Sequence, residues 1–334
     1  MISDIVDLVG SKLVNAVSGE NGITLLILFS TAFISALIAY WRTVEDKSFG
    51  DFFSFALPKE VIMHPSARAD LLFYITKRLI MPLLLIPTGI AFVALVAFGT
   101  NQLFSWIFQV HGPLLEGPTP WWVLVLFTGS MLIAYDISYY LYHVAQHKIP
   151  FLWELHKVHH SANVLTPLTV FRIHPLDAVI FSNILGVCLG LANGVATYAF
   201  GKTSTAFTID DTNVILVIFI HVYVHLQHTH LWIPFTGIWG RIFQSPAHHQ
   251  IHHSSNPAHF DRNFGSCLAL WDWVFGTLRI PNKEPEKLNF GVVQGEADMH
   301  SLSELTIAPV KRAAGHLAGP LRGEERPLAG TPRV

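Results

Sequence analysis

Three histidine clusters stand out: His143-Val-Ala-Gln-His147, His156-Lys-Val-His159-His160 and His249-Gln-Ile-His252-His253. They hold eight of the chain's 19 histidines. On a helix, side chains at i, i+3 and i+4 share one face. Two or three unprotonated imidazoles on such a face make a surface for a transition metal. Adjacent residues such as His159 and His160 point about 100° apart on a helix, so each HxxHH run can reach two metals, or one metal and the groups that support it. One HxxxH and two HxxHH runs therefore point to a single site that holds more than one ion. No HExxH, the spacing of zinc proteases, is present. Nitrogen-rich sites accept Fe, Zn, Cu or Ni, and affinity alone does not choose among them.

Other residues are drawn toward the clusters. Asp136, Tyr140, His143 and His147 fall on one face by helical periodicity. A carboxylate inside an apolar run is costly and is a functional candidate by default. Asp136 could orient a ligand imidazole or only bond neighbouring helices. His228 opens the run His228-Thr-His-Leu231, and His221 and His225 precede it on a similar face. All three could be ligands, or two could pack between helices. His174 is open in the same way, as a ligand or as a support. His64, His111, His259, His300 and His316 are isolated, and His248 lies outside the HxxHH spacing.

Elements that position these residues must suit an unusual composition. The 334 residues are 51% hydrophobic and 13% charged, against roughly 25% charged for a soluble domain. The chain is therefore expected to be an all-α integral membrane protein with about four to five spans. A cytoplasmic helical cap carries the histidine clusters. Net charge is −2, and no basic block points to nucleic acid. Cys188 and Cys267 are isolated, which excludes a disulfide framework and a CxxC zinc motif. The first 22 residues do not read as a signal peptide. Spans of ~20 apolar residues are expected at Ile23–Trp41, Ile80–Gly99, Trp121–Tyr142 and Val179–Phe200, with a shorter one at Asn213–His230. Leu103–Val110 is too short to span and is expected at the interface. Gly186, Gly190 and Gly194 form a small-residue face suited to close helix packing. Arg42, Lys47, Lys59, Arg68, Lys77 and Arg78 mark 42–78 as the cytoplasmic side. The spans then bring all three clusters to that side. From about Pro281 the chain turns polar, and 311–334 reads as a loosely attached tail.

With these residues in place, the chain resembles the fatty acid hydroxylase/sterol desaturase superfamily of membrane di-iron enzymes. The histidine boxes follow the family's order. Asp136-Ile-Ser-Tyr-Tyr-Leu-Tyr-His143 is similar to its D-x-x-Y-Y-x-x-H lead-in, and Phe171-Arg-Ile-His-Pro-Leu-Asp177 to its R-x-H-P-x-[ED] segment. Pro246–His253, Asn263-Phe-Gly-Ser and Leu270-Trp-Asp-Trp-Val-Phe-Gly-Thr277 resemble the stretch at and after its third box. The resemblance runs from about 120 to 295. It divides the chain into N-terminal membrane helices and a cytoplasmic loop (1–120), a catalytic domain (121–295) and a polar tail (296–334).

The resemblance implies two Fe ions, for which zinc may substitute on purification. The implied ligands are His143, His147, His156, His159, His160, His228, His249, His252 and His253. Val224 stands where some relatives place a further histidine. The implied activity is O2-dependent hydroxylation, or desaturation, of a lipid such as a fatty acyl chain or sterol-like lipid. Spans three to five would supply the channel. The chain has no GxGxxG nucleotide motif and no HPGG haem motif, so electrons are expected from a separate ferredoxin, rubredoxin or cytochrome b5 with its reductase. Two rival readings are a divalent-metal transporter and a haem-binding membrane electron carrier. The first expects ligands at mid-membrane, and the second uses only two to four histidines.

Overall fold

The computed structural model describes residues 20–114, 120–200, 208–209, 212–213, 224–292 and 299–318. Its helices are α1 (Glu20–Thr43), α2 (Phe49–Ala56), α3 (Lys59–Ile62), α4 (Pro65–Phe108), α5 (Trp121–Lys148), α6 (Pro150–His160), α7 (Pro175–Phe200), α8 (His225–Gln227), α9 (Trp239–Ile242), α10 (Pro246–His252), α11 (Leu270–Phe275) and α12 (Leu302–Ala318). The only named strands among the described residues are the two-residue pair Thr208–Ile209 and Thr212–Asn213. The architecture is helical, as the composition implies. α5 and α7 are long and apolar enough to cross a membrane. Most of the expected fifth span, 214–223, lies outside the described residues, as does His221.

The chain divides into two compact units over their described residues. The first comprises Met1–Asn21, Leu79–Tyr142 and Ala178–Ile220. Here α7 lies against α4 through glycine. A Cβ at Gly190 would meet Val96 Cβ at 2.7 Å, and one at Gly194 would meet the Ala97 carbonyl oxygen at 2.7 Å. Only hydrogen at these two positions lets the backbones approach so closely. Tyr139 and Tyr142 of α5 hold Phe181 of α7 with ring centroids 5.8 and 5.6 Å apart. Of Leu103–Val110, expected at the interface, the first six residues, Leu103–Phe108, are the last part of α4. Polar Thr100 does not stop the helix, because its hydroxyl donates back to the Val96 carbonyl at 2.8 Å. The helix stops at Gln109, which takes a left-handed φ of 55°.

The second unit comprises Gly22–Arg78, His143–Asp177 and His221–Val334, again over the described residues. It contains every described histidine of the three clusters. α1 and α2 pack through Ala36, Tyr40 and Phe52, joined by Leu231. The Tyr40 hydroxyl closes the turn between them: it donates to the Ser48 carbonyl at 2.9 Å and accepts from the Ser48 amide at 2.8 Å. A second core joins Ala69 and Phe73 of α4, Val158 of α6, Met299, and Leu305 of α12.

α12 changes the reading of the C-terminus. A loosely attached tail was expected from residue 311, yet Leu302–Ala318 is a helix. Its start is a capping box: the Glu304 amide donates to Ser301 Oγ at 3.3 Å, and the Ser301 amide donates to the Glu304 carboxylate at 3.0 Å. The signature Ser301-Leu-Ser-Glu304 was in the sequence, followed by the apolar Leu305 that is now buried. Arg312 reaches Glu154 of α6 at 2.6 Å, where Lys157 also bonds it at 2.7 Å. Burial works against the Glu154 carboxylate, but these hydrogen bonds outweigh it and hold its pKa below the usual range. Residues 319–334 lie outside the described residues.

Candidate metal centre

A proline separates the first two histidine boxes. The residue before proline is driven away from helical geometry, and Ile149 is extended at φ −101°, ψ 116°. α5 therefore ends just after His147. Pro150, whose missing N–H costs nothing at the first helical position, opens α6. A Ser-Pro pair opens α10: Ser245 accepts from the His248 amide, and Pro246 takes the first helical position. His248, which the spacing set aside, completes this cap. Its Nδ1 accepts from the Ser245 amide at 3.1 Å, and its Nε2–H donates to the Gly240 carbonyl at 3.1 Å. Burial lowers its pKa to about 4.

The boxes converge as two groups. His143, His147, His156, His160 and His252 form one, and His159, His228, His249 and His253 the other. All nine are buried or nearly so. Within each group one ligating atom per residue lies within 4.8 Å of all the others. Adjacent residues on α6 part company: His160 joins the first group and His159 the second. His252 and His253 divide in the same way at the end of α10. The two groups thus share both helices.

The geometry inside each group fits a metal. In the first, His143 Nε2 is 3.1 Å from His156 Nε2, His147 Nε2 is 3.1 Å from His160 Nε2, and His160 Nε2 is 3.2 Å from His252 Nε2. In the second, the Nε2 atoms of His159 and His228, His228 and His249, and His249 and His253 are 3.0, 2.9 and 3.0 Å apart. A metal–imidazole bond is ~2.0–2.1 Å. Two such bonds at angles between 90° and 109° place the nitrogens roughly 2.9–3.4 Å apart. The observed separations match that edge length.

Tautomers point the same way. His143 Nδ1–H donates to the Phe264 carbonyl at 2.7 Å, and His252 Nδ1–H donates to the Arg262 carbonyl at 2.8 Å. Each ring then directs a bare Nε2 lone pair into the first group. Burial is the main force that lowers the pKa values of His159, His160, His249 and His253, and neighbouring imidazoles add to it. Burial takes His252 to about 3. At neutral pH these rings are uncharged, which is the form that binds metal. Four or five lone pairs crowded into each group repel one another unless a cation sits among them.

Supporting residues explain motifs that the sequence displayed without roles. Asp272, fully buried, accepts from the Phe264 and Gly265 amides at 2.8 Å each, from Thr277 Oγ1 at 2.6 Å and from Gln244 Nε2 at 2.6 Å. Burial pushes its pKa up, and these bonds pull it down. Asp272 thereby fixes the loop whose carbonyls orient His143 and His252. Asn263 braces the same loop, with φ 57° and side-chain bonds to the His248 and Arg279 carbonyls.

Asp177, in the first turn of α7, accepts from Gln146 Nε2 at 2.7 and 2.8 Å and lies 3.5 Å from His156 Nδ1. It is positioned to orient an imidazole. Asp136 is buried on α5, two turns before His143. His174 bonds the Thr306 carbonyl of α12 at 2.8 Å and the Leu176 amide at 3.2 Å, and it belongs to neither histidine group. The side chain of His225 lies outside the described residues.

Arg172 holds this assembly together. Its fully buried guanidinium bonds Asp70 Oδ1 at 2.9 Å, Ser66 Oγ at 3.2 Å, Ser161 Oγ at 2.9 Å and the Met299 carbonyl, and its Nε bonds the Val158 carbonyl at 3.0 Å. One side chain thus ties the end of α6, the start of α4 and the approach to α12.

The alkylglycerol monooxygenase of Caenorhabditis elegans is 29% identical over 186 residues, covering 55% of this chain and 32% of its own length. The human alkylglycerol monooxygenase is 24% identical over 219 residues, covering 65% of this chain and 41% of its own length. Human cholesterol 25-hydroxylase is 28% identical over 151 residues, covering 44% and 49%. The chain thus spans about a third to a half of the curated relatives it matches. No solved structure matches it. The model of the fatty acid hydroxylase family matches residues 128–277. That stretch contains all nine clustered histidines together with Arg172, Asp177 and Asp272, and over it the chain is similar to the fatty acid hydroxylase family.

Proposed function

We propose that the chain is an integral membrane monooxygenase that holds two iron ions, one in each histidine group, and hydroxylates a lipid. The observation that carries this reading is the division of nine buried imidazoles into two groups that share α6 and α10. Bound iron would supply O2 activation for attack on an unactivated C–H bond. The chain's own part is to hold and orient the site. Asp272 and Asn263 fix the carbonyls that set the His143 and His252 tautomers, Asp177 steadies His156, and burial keeps bulk water away from the histidines. Oxygenase relatives of the same family support the reaction class.

Four to five spans facing the metal centre to the cytoplasm complete the proposal. α5 and α7 qualify by length and composition, and α1 and α4 contain the stretches expected as the first two spans. The six basic residues between Arg42 and Arg78 favour the cytoplasmic side for the centre. With no nucleotide or haem motif in the chain, the electrons come from a separate carrier such as a ferredoxin, rubredoxin or cytochrome b5. The haem-carrier reading fits poorly, because the four or five imidazoles within 4.8 Å in each group leave no room for a macrocycle.

Cells expressing the chain and a control lacking it, grown under 18O2, test the proposal by lipid mass spectrometry. The expected product is a lipid that gains one labelled oxygen. Loss of two hydrogens without label would replace hydroxylation by desaturation. No lipid difference under aerobic conditions, with an electron donor supplied, would overturn the oxygenase reading.

A further inference from the structure

A cavity of about 470 Å³ opens in the second unit, between α1, α2, α3, the first turns of α4 and the segments 166–168 and 229–231. Its size falls within the ~300–1,000 Å³ of small-molecule sites. The walls include Phe29, Phe33, Phe52, Ala56, Leu71 and Leu231. The few polar linings are mostly occupied. His230 Nε2 bonds the Phe55 carbonyl at 3.0 Å, and Thr229 Oγ1 accepts from the Leu231 amide at 3.2 Å. Arg68 is the one cation in the wall. It is exposed, and its guanidinium makes no hydrogen bond or ion pair among the described residues.

The floor adjoins the second histidine group. Thr229 follows His228, whose Nε2 stands 3.0 Å from that of His159 and 2.9 Å from that of His249. Gln250, between His249 and His252, donates to the Thr229 and Leu231 carbonyls at 2.8 Å each. One segment is therefore both cavity floor and holder of the second histidine group. This cavity is walled chiefly by residues 29–71. Those residues lie outside the 128–277 stretch that matches the family.

We infer that this cavity binds the apolar tail of a single-chain amphiphile whose anionic headgroup, a carboxylate or a phosphate, pairs with Arg68. A guanidinium matches either anion with two parallel hydrogen bonds. The wall supplies apolar contact along the tail, and the floor directs it toward the second histidine group. This rests on the oxygenase reading, and it assigns substrate choice to α1–α3 and Arg68 rather than to the family domain.

The test uses the full-length, metal-loaded protein in phosphatidylcholine nanodiscs. Hexadecanoate with a mid-chain diazirine is photolysed and the adducts are mapped by peptide mass spectrometry. Adducts are expected within 29–71, 166–168 and 229–231. Ala32→Trp and Ala56→Trp, which fill the cavity from two helices, should each cut labelling about tenfold with metal content and melting temperature unchanged. In competition, Arg68→Gln should weaken hexadecanoate or hexadecyl phosphate, or both, about tenfold, and leave uncharged hexadecanol within twofold. A carboxylate-only or phosphate-only effect identifies which headgroup is bound. Adducts confined to other segments, or labelling unaffected by both tryptophans, would overturn the inference. Equal weakening of hexadecanol would overturn the role of Arg68. Two metals and 18O incorporation without wall adducts would remove this inference and leave the oxygenase reading standing. Wall adducts without 18O incorporation would do the reverse.

Discussion

Replacing His159 or His252 by alanine should abolish lipid oxidation. The loss should exceed the ~10–100-fold typical of removing a residue that only orients a ligand. His159 belongs to the second group and His252 to the first, so the two variants disable different halves of one centre. Each should also lose metal while the helical circular dichroism is retained. His259→Ala and His300→Ala are the controls, because neither residue belongs to a group. Both should keep activity within a few-fold. Equal loss from all four, measured as turnover per folded chain, would show that the boxes hold no special place.

Arg172→Ala should unfold the second unit or come close to doing so. The change leaves the Asp70 carboxylate buried, with only Thr169 still donating to it at 2.6 Å. It also removes the donors that serve Val158, Ser161 and Met299. Breaking one side of a buried ion pair costs about 3–5 kcal/mol, a large part of the 5–15 kcal/mol that holds a typical domain folded. The double change Arg172→Met with Asp70→Leu should cost less than Arg172→Ala alone, because no uncompensated charge remains. Thermal unfolding of the three proteins in one detergent checks both statements. An Arg172→Ala protein as stable as the parent would show that the clamp contributes nothing.

Much of the metal centre was legible in the sequence, since it follows from spacing. The 100° step between neighbouring helical residues already separates His159 from His160 and His252 from His253. The structure sends each pair to different groups. What spacing could not show was support arriving from far along the chain. Asp272 acts through the Phe264 backbone, and the carbonyl it steadies lies 121 residues from His143. Arg172 reaches Ser66 and Met299, 106 and 127 residues away. The motifs around these residues were visible, but a motif does not say which backbone group its side chain holds.

The C-terminal helix was missed for a different reason. A polar composition was read as loose attachment. The capping signature Ser301–Glu304 and the buried Leu305 carried more weight than the average polarity around them. Leu103–Val110, read by itself as too short to span, proves in its first six residues to continue the helix that begins at Pro65. Thr100 satisfies its hydroxyl inside the helix and leaves no reason for the chain to break.

The central claim is that the two histidine groups each hold one metal ion. Metal content per chain, measured on full-length protein produced with iron supplementation and purified without chelators, tests it most directly. The account predicts about two ions per chain in the parent, iron or competing zinc, and a clear fall in His159→Ala and in His252→Ala. A parent protein that never exceeds one ion per chain, under conditions that saturate known imidazole sites, would contradict it.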